Sequence, residues 1–480
     1  MKERITLLLM LALTTAGFSQ PTLSNDEQEL LSSLDAQYEK YSGIAQQIWN
    51  YAELGYQEEQ SSILLQKTLS DAGFSVESKV ANIPTAFVAS YGSGEPVVAL
   101  LAEFDALPGL SQTAAPQREI KEEGKGGHAC GHHLFGTGSV AAAIAVKAWM
   151  EKTNTTGTVR LYGTPAEEGG AGKVYMVRAG LFDDVDVVLH WHPGSENSAN
   201  ARSSLSNKSA KFRFYGNAAH AAAAPEKGRS ALDGVEAMDM MVNMMREHVP
   251  SESRIHYVIT RGGEAPNIVP EFAEVFYYVR HPEMQTVRDL FERVVKAAEG
   301  AALGTGTRME YEVIHGAYNL LPNETLSETM YENLEAVGGV RYDAEEKAFA
   351  EQIRTTYDAS EAPLASANEV QPYTVSTQGT GGSTDVGDVS WAAPTAGMSA
   401  ATWVPGTYAH SWQAVAAGGT SIGAKGMMVA AKTLSLTALD VFKHPALAEE
   451  ARKELVKKRG EDFTYKALLG DREPPLDYRD

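Results

Sequence analysis

Three apolar runs in the first half of the chain each end in a burst of polar chemistry. Val97 to Leu101 leads into Glu103-Phe104-Asp105, Val159 to Tyr162 into Thr164-Pro165-Ala166-Glu167-Glu168, and Val185 to Leu189 into His190-Trp191-His192. Runs this short and this uniformly apolar read as strands buried on both faces. Between the first two lies Gly136 to Met150, alanine-rich and helical in period. Strands alternating with helices predict an α/β fold with a mostly parallel sheet covered on both faces. Reactive residues at the carboxyl ends of such strands gather at one edge, where open α/β sheets hold their ligands.

The rest of the chain divides around that pattern. Asn25 to about Gly73 reads as helical through Leu30, Leu34, Tyr38, Ile63, Leu64 and Leu69. At 480 residues the chain exceeds what one core organises, so a second domain is expected. From Ala210 the period changes. Lys211 to Tyr215, Ile255 to Ile259, Glu274 to Val279 and Met309 to Ile314 read as strands, with helices over Ser230 to Val249 and Thr286 to Leu303. That βαββαβ order is the ferredoxin-like unit, whose half-exposed sheet leaves an edge for pairing with another subunit. The segments are therefore 25–208, an insert at 209–315, a return at 316–440, and a charged tail at 441–480, helical from His444 onward. Thr355 to Gly382 reads as a polar flap or insertion, and the methionines from Met238 to Met245 as core or interface packing.

The first residues, MKERITLLLMLALTTAGFSQ, join a charged head to an apolar run and a small-x-small motif at Gly17-Phe18-Ser19. This predicts a cleaved secretory signal over residues 1–19, a periplasmic or secreted protein, and no membrane span in the mature form. The net charge of −21 excludes nucleic acid as a partner, since phosphate binding needs a basic patch. A single cysteine forms no disulfide within the chain, so an exported thiol calls for another role.

That cysteine, Cys130, sits in Gly-Gly-His-Ala-Cys-Gly-His-His among glycines and histidines rather than aliphatics. With the Glu167-Glu168 pair and His190-Trp191-His192 it makes up the donor set of a transition-metal site. A pair of metals needs a bridging anion and terminal ligands, and an unligated carboxylate then serves as general base. Adjacent glutamates after a buried strand fit that division of labour.

The segments AEFDALPGLSQ, GGHACGHHLFGTG, GTPAEEGGAGK, VDVVLHWHPG, GNAAHAAAAPEKGRSALDGVE, PNIVPEFAEVFYYVR and GGSTDVGDVSW together resemble the dinuclear metallopeptidase and aminoacylase superfamily, in its amidohydrolase branch. They cover about residues 95 to 415, in family order. The resemblance implies two divalent ions, manganese or zinc, held by Cys130, His132, Glu168, His192 and His410. It places the general base on Glu167 and an orienting carboxylate on Asp105. His220 falls where relatives reach across a dimer interface to polarise the substrate carbonyl. Arg280 and Asn267 fall where they hold the free carboxylate of a small-molecule substrate. His190 is expected to be structural. The implied activity is hydrolysis of N-acyl or N-aroyl amino acids, aminobenzoyl-glutamate foremost, carried out either as a homodimer or as a dimer with a related chain. The alternative is a dipeptidase, and an inactive peptide-binding protein is a remote one. One departure stands out: His133 replaces the usual Asp or Asn and is placed to compete with His132.

Overall fold

The computed structural model describes residues 23–360, 362–379 and 381–479. The expected signal segment lies outside them. Among the described residues no helix is long and apolar enough to cross a membrane.

The chain enters through α1 (Asn25–Ala36), α2 (Tyr38–Tyr51) and α3 (Glu59–Asp71). Ser24 starts α1 with a capping box: its hydroxyl accepts from the Glu27 N–H, and the Glu27 carboxylate accepts from the Ser24 N–H. The strands β1 (Ser75–Ser78), β2 (Phe87–Ser93) and β3 (Val97–Ala102) follow, then α4 (His132–Thr153), β4 (Gly157–Gly163), α5 (Gly172–Arg178) and β5 (Val187–Gly194). Every residue of β3 is buried, which is why it carries no alternation. Helix α4 is apolar nearly all round and buried along most of its length, as a helix between sheet and outer helices must be.

Two-residue β6 (Ala201–Arg202) precedes the insert. This comprises β7 (Ser206–Tyr215), α6 (Ala231–Met245), β8 (Arg254–Arg261), β9 (Phe272–His281), α7 (Met284–Thr305) and β10 (Arg308–Ala317). Its four strands run in the order β10-β7-β9-β8, all antiparallel, which is the ferredoxin-like arrangement. Alternate residues Ala210, Phe212 and Phe214 of β7 and Val275, Tyr277 and Val279 of β9 face α6 and α7, closing a core separate from the main one. Each large side chain buried there contributes roughly 1.5–3 kcal/mol. Strand β8 is left at the edge with Tyr257, Val258 and Ile259 exposed. Met238 of α6 is buried, while Met240, Met241 and Met244 are exposed on its other side.

The chain returns through α8 (Glu324–Val337), α9 (Ala344–Ile353), β11 (Val375–Ser376), α10 (Val386–Ala392) and β12 (Thr395–Ala401), then α11 (Trp412–Gly418), α12 (Ser421–Lys443) and α13 (Ala446–Arg459). The main sheet has the order β1-β2-β4-β3-β5-β12. Strands β4, β3, β5 and β12 are mutually parallel, and β1 and β2 complete the sheet antiparallel. Two expectations need correction. The polar stretch before Gly382 is not wholly irregular, because β11 pairs with β6 in parallel. The tail is helical only to Arg459; beyond Gly460 it is extended and turned, with Leu468 and Leu469 buried.

Candidate metal centre and active site

Strands β3, β4, β5 and β12 deliver their ends to one edge of the main sheet. Just past β3, Asp105 accepts from His132, the first residue of α4, with 2.8 Å between Oδ1 and Nδ1. Its other oxygen accepts from the Glu168 N–H at 2.9 Å, so one carboxylate ties the ends of β3 and β4 to the start of α4. Between Cys130 and His132, Gly131 takes a φ of +78°, and a Cβ there would lie 2.6 Å from the Pro193 ring. Only glycine allows this turn. It swings the thiol toward β5, where Cys130 Sγ lies 3.4 Å from His192 Nε2. His192 donates its other nitrogen, Nδ1, to the Pro193 carbonyl at 2.7 Å, which leaves Nε2 as a free acceptor. His410 arrives on the loop after β12 with a left-handed φ of +59°, its N–H held by the Ala129 carbonyl at 2.9 Å. Its Nε2 lies 3.1 Å from Glu168 Oε1.

The result is three groups of ligating atoms, each within 4.8 Å: Cys130–His132–His192, Cys130–Glu168–His410 and Glu103–His132–Glu167. Three buried polar atoms there, His132 Nε2, Glu103 Oε2 and Glu168 Oε1, make no hydrogen bond. Buried polar atoms left this way are costly, and their clustering identifies a cation site. The charges agree. Burial alone would strip His132 of its proton, yet Cys130, Glu103 and Asp105 hold its pKa well above the ordinary value. Burial pushes the His192 imidazole down to about 4, so it is neutral and able to ligate. Burial works to raise Glu168, but His410 and His132 hold it below the usual carboxylate range. Burial, then the repulsion of Glu103 and Glu168, drives Glu167 well above that range. Two neighbouring glutamates are thus pushed apart, one toward ligation and one toward proton transfer.

Residues that sequence reasoning passed over complete the site. Lys173, fully buried on α5, pairs with Glu103 Oε1 at 2.6 Å and with Asp385 Oδ1 at 2.7 Å. Its signal was a lone lysine in an otherwise apolar helical stretch. Glu58, also fully buried, accepts from the Ala166 N–H at 2.8 Å and from Thr85, steadying the residue before Glu167. The structure does not bring His220, Asn267 and Arg280 into this cluster. His220 and Asn267 sit on adjoining exposed loops of the insert, where the Ala221 N–H donates to the Asn267 carbonyl. His220 Nδ1 accepts from the N–H groups of Ala222 and Ala223, so the ring carries its proton outward on Nε2. Arg280 lies on β9 with its guanidinium over the Tyr278 ring. Nor does His133 compete with His132: it bonds the Gly418 carbonyl at 3.0 Å and packs against His128. His190 is buried against Gly397, where a Cβ would fall 2.2 Å from the ring, a packing role.

A parallel α/β sheet carrying thiolate, imidazole and carboxylate donors beside an elevated glutamate, with a ferredoxin-like insert, defines a metal-dependent amide hydrolase. Residues 99–415 match the model of peptidase family M20/M25/M40, and the chain belongs to that family. It is 44% identical over 447 residues to one of the two chains of the p-aminobenzoyl-glutamate hydrolase of Escherichia coli K12, covering 88% of this chain and 93% of that one. It is 32% identical to the Xaa-Arg dipeptidase of Mus musculus, covering 92% and 96%. Among solved structures, a Bacillus subtilis dinuclear metal-binding peptidase of the M20 family superposes with a TM-score of 0.58 at 18% identity. The match covers 85% of this chain and 99% of that one, a likeness of fold.

Proposed function

We propose that this chain hydrolyses the amide bond of N-aroyl and N-acyl amino acids, with aminobenzoyl-glutamate as the first substrate. The observation that carries the reading is the site's division of labour. Cys130 is common to two groups of ligating atoms, while Glu167 stands beside them in a third whose Glu103 is already neutralised by Lys173. Cys130, His132, Glu168, His192 and His410 would hold two divalent ions, and thiolate with imidazole and carboxylate suits zinc or manganese. Such a pair supplies Lewis-acid polarisation of the amide carbonyl and lowers the pKa of water.

The chain's own groups do the rest. Glu167 takes a proton from the attacking water and returns it to the leaving amine. Asp105 holds the His132 ring in one orientation. His220, with Nε2–H outward, is positioned to donate to the carbonyl oxygen of a substrate held in a neighbouring copy. Arg280 and Asn267 receive the free carboxylate, for which arginine offers two parallel hydrogen bonds. The exposed edge β8, with Met240, Met241 and Met244 beside it, is the surface through which a second copy or a related chain pairs. Residues 1–19 direct export to the periplasm or beyond.

The identity to a dipeptidase favours one rival reading, in which the substrate carries a free α-amine. Purified protein, before and after chelation and metal add-back, is assayed against aminobenzoyl-glutamate, hippurate-type N-acyl amino acids and unblocked dipeptides. Turnover of the N-acylated compounds, lost on chelation and restored by metal, is expected. Preference for unblocked dipeptides would replace the reading with the rival.

A further inference from the structure

The turn that carries Glu167 and Glu168 is held from several directions, and one of them plays no part in the proposed chemistry. Ala166 N–H donates to Glu58, Glu168 N–H to Asp105, and the Tyr56 hydroxyl to the Gly170 carbonyl at 2.8 Å. These partners all come from the first part of the chain. The carbonyl of Glu168 is held instead by the far C-terminal segment: it accepts from the Tyr478 hydroxyl at 2.9 Å and from the Arg479 guanidinium. We infer that Tyr478 and Arg479 are positioning residues, which set the direction of the Glu168 peptide and so the placement of both glutamates.

Three observations show that this contact is built rather than incidental. The Tyr478 ring packs edge-on against Tyr56, 5.5 Å between centroids, so the two hydroxyls that hold this turn are braced together. Tyr478 reaches its partner over bare backbone: a Cβ at Gly55 would lie 2.1 Å from the Tyr478 hydroxyl. The segment leading there is anchored along its course. Leu468 packs onto Gly316, Arg472 donates to the carbonyls of Val313 and Ile314 on β10, and Arg178 of α5 donates to the carbonyls of Gly470 and Arg472. A strap thus runs from the insert's last strand, across α5, to the catalytic turn. All of it lies beyond the residues matched by the family model.

The inference rests on the roles proposed for Glu167 and Glu168, because a peptide rotated at Glu168 moves one carboxylate out of ligation and the other out of reach of water. Displacements of about 1 Å at such groups cost on the order of 100-fold in rate. The test compares the full chain with a chain stopped after Asp477 and with Tyr478→Phe, Arg479→Gln and Arg479→Lys. It measures zinc and manganese affinity by equilibrium dialysis and kcat and KM on aminobenzoyl-glutamate. The expected result for the shortened chain is metal affinity and kcat each down tenfold or more, with KM within twofold. The single substitutions fall severalfold, and Arg479→Lys, which keeps a donor, recovers most of the Arg479→Gln loss. Metal affinity and kcat within twofold of the full chain, for the shortened chain or for both single losses, would overturn the inference. If the full chain turns over none of the substrates, the reading of function fails, while the metal affinities still decide the role of the strap. If the shortened chain does not fold, the Phe, Gln and Lys substitutions decide it.

Discussion

Lys173 gives the sharpest quantitative test of how the site is held together. Its ammonium is fully buried, 2.6 Å from Glu103 and 2.7 Å from Asp385, and its backbone N–H donates to Asp385 as well. At an effective dielectric near 20, each contact is worth roughly 6 kcal/mol of Coulomb attraction. Much of that is offset by the desolvation of three charges. Replacing Lys173 by methionine keeps the volume and removes the charge, leaving two buried carboxylates uncompensated. The expected loss in unfolding free energy, measured by urea titration of chelated protein at pH 8, is about 3–5 kcal/mol. The pH dependence fixes the cause. Burial, its largest influence, already places the Glu103 carboxyl above the ordinary range, with Lys173 and His132 pulling the other way. Without Lys173 it rises further, so the folded variant binds protons that the unfolded chain releases. A raised folded pKa gives stability that is present at low pH and lost as pH climbs through it. The deficit against wild type therefore shrinks toward pH 5 and grows toward pH 8. Adding Asp385→Asn to the methionine variant should recover about half of it. A deficit under about 1 kcal/mol, or one that does not vary with pH, would show that the buried triad is not held by charge.

Glu167→Gln should cut turnover by roughly 100- to 10,000-fold while leaving metal content unchanged; loss of metal would make Glu167 a ligand instead of the base. The Glu58 carboxyl is raised to about 8, by burial first and by Asp105 second, so wild type sheds stability as pH rises from about 4.5 to 8. Glu58→Gln should remove that slope, gaining up to about 4 kcal/mol relative to wild type at pH 9 over pH 5; parallel stability curves would refute the assignment. Val258→Lys places a charge on the edge of β8 and should yield a monomer by light scattering, and an unchanged oligomer would move the interface elsewhere.

The central sheet and the insert were legible because their periods differ. Val97 to Leu101 and Val185 to Leu189 have no polar face, while Lys211 to Tyr215 alternates, and those patterns encode two-sided and one-sided burial directly. The residues brought together at Cys130 were legible from strand ends and from resemblance. What stayed hidden depends on contacts between residues far apart in sequence. Nothing near Lys173 announces that its partners are Glu103 and Asp385. The polar composition of the tail suggested a continuous helix, whereas Leu468 and Leu469 tuck under the insert and the chain turns back. His133 misled for a related reason, since its place beside His132 in sequence says nothing of α4 turning it toward Gly418. His220, Asn267 and Arg280 lie apart from the cluster within one chain, as residues that serve a neighbouring copy would.

The pairing of β5 with β12 carries a consequence for how such a chain diversifies. His190 and His192 lie opposite Gly397 and Ser399 in register, and His410 is latched to Ala129 by a main-chain bond. The donor set is thus fixed by strands that flank the insert in sequence and touch one another directly. The insert can be lengthened, exchanged or re-surfaced without shifting a donor atom, so that partner choice and substrate reach evolve on a different clock from the chemistry. The strap sets the one condition on such grafts: a replacement module must still present, at its exit strand, the two carbonyls that receive Arg472.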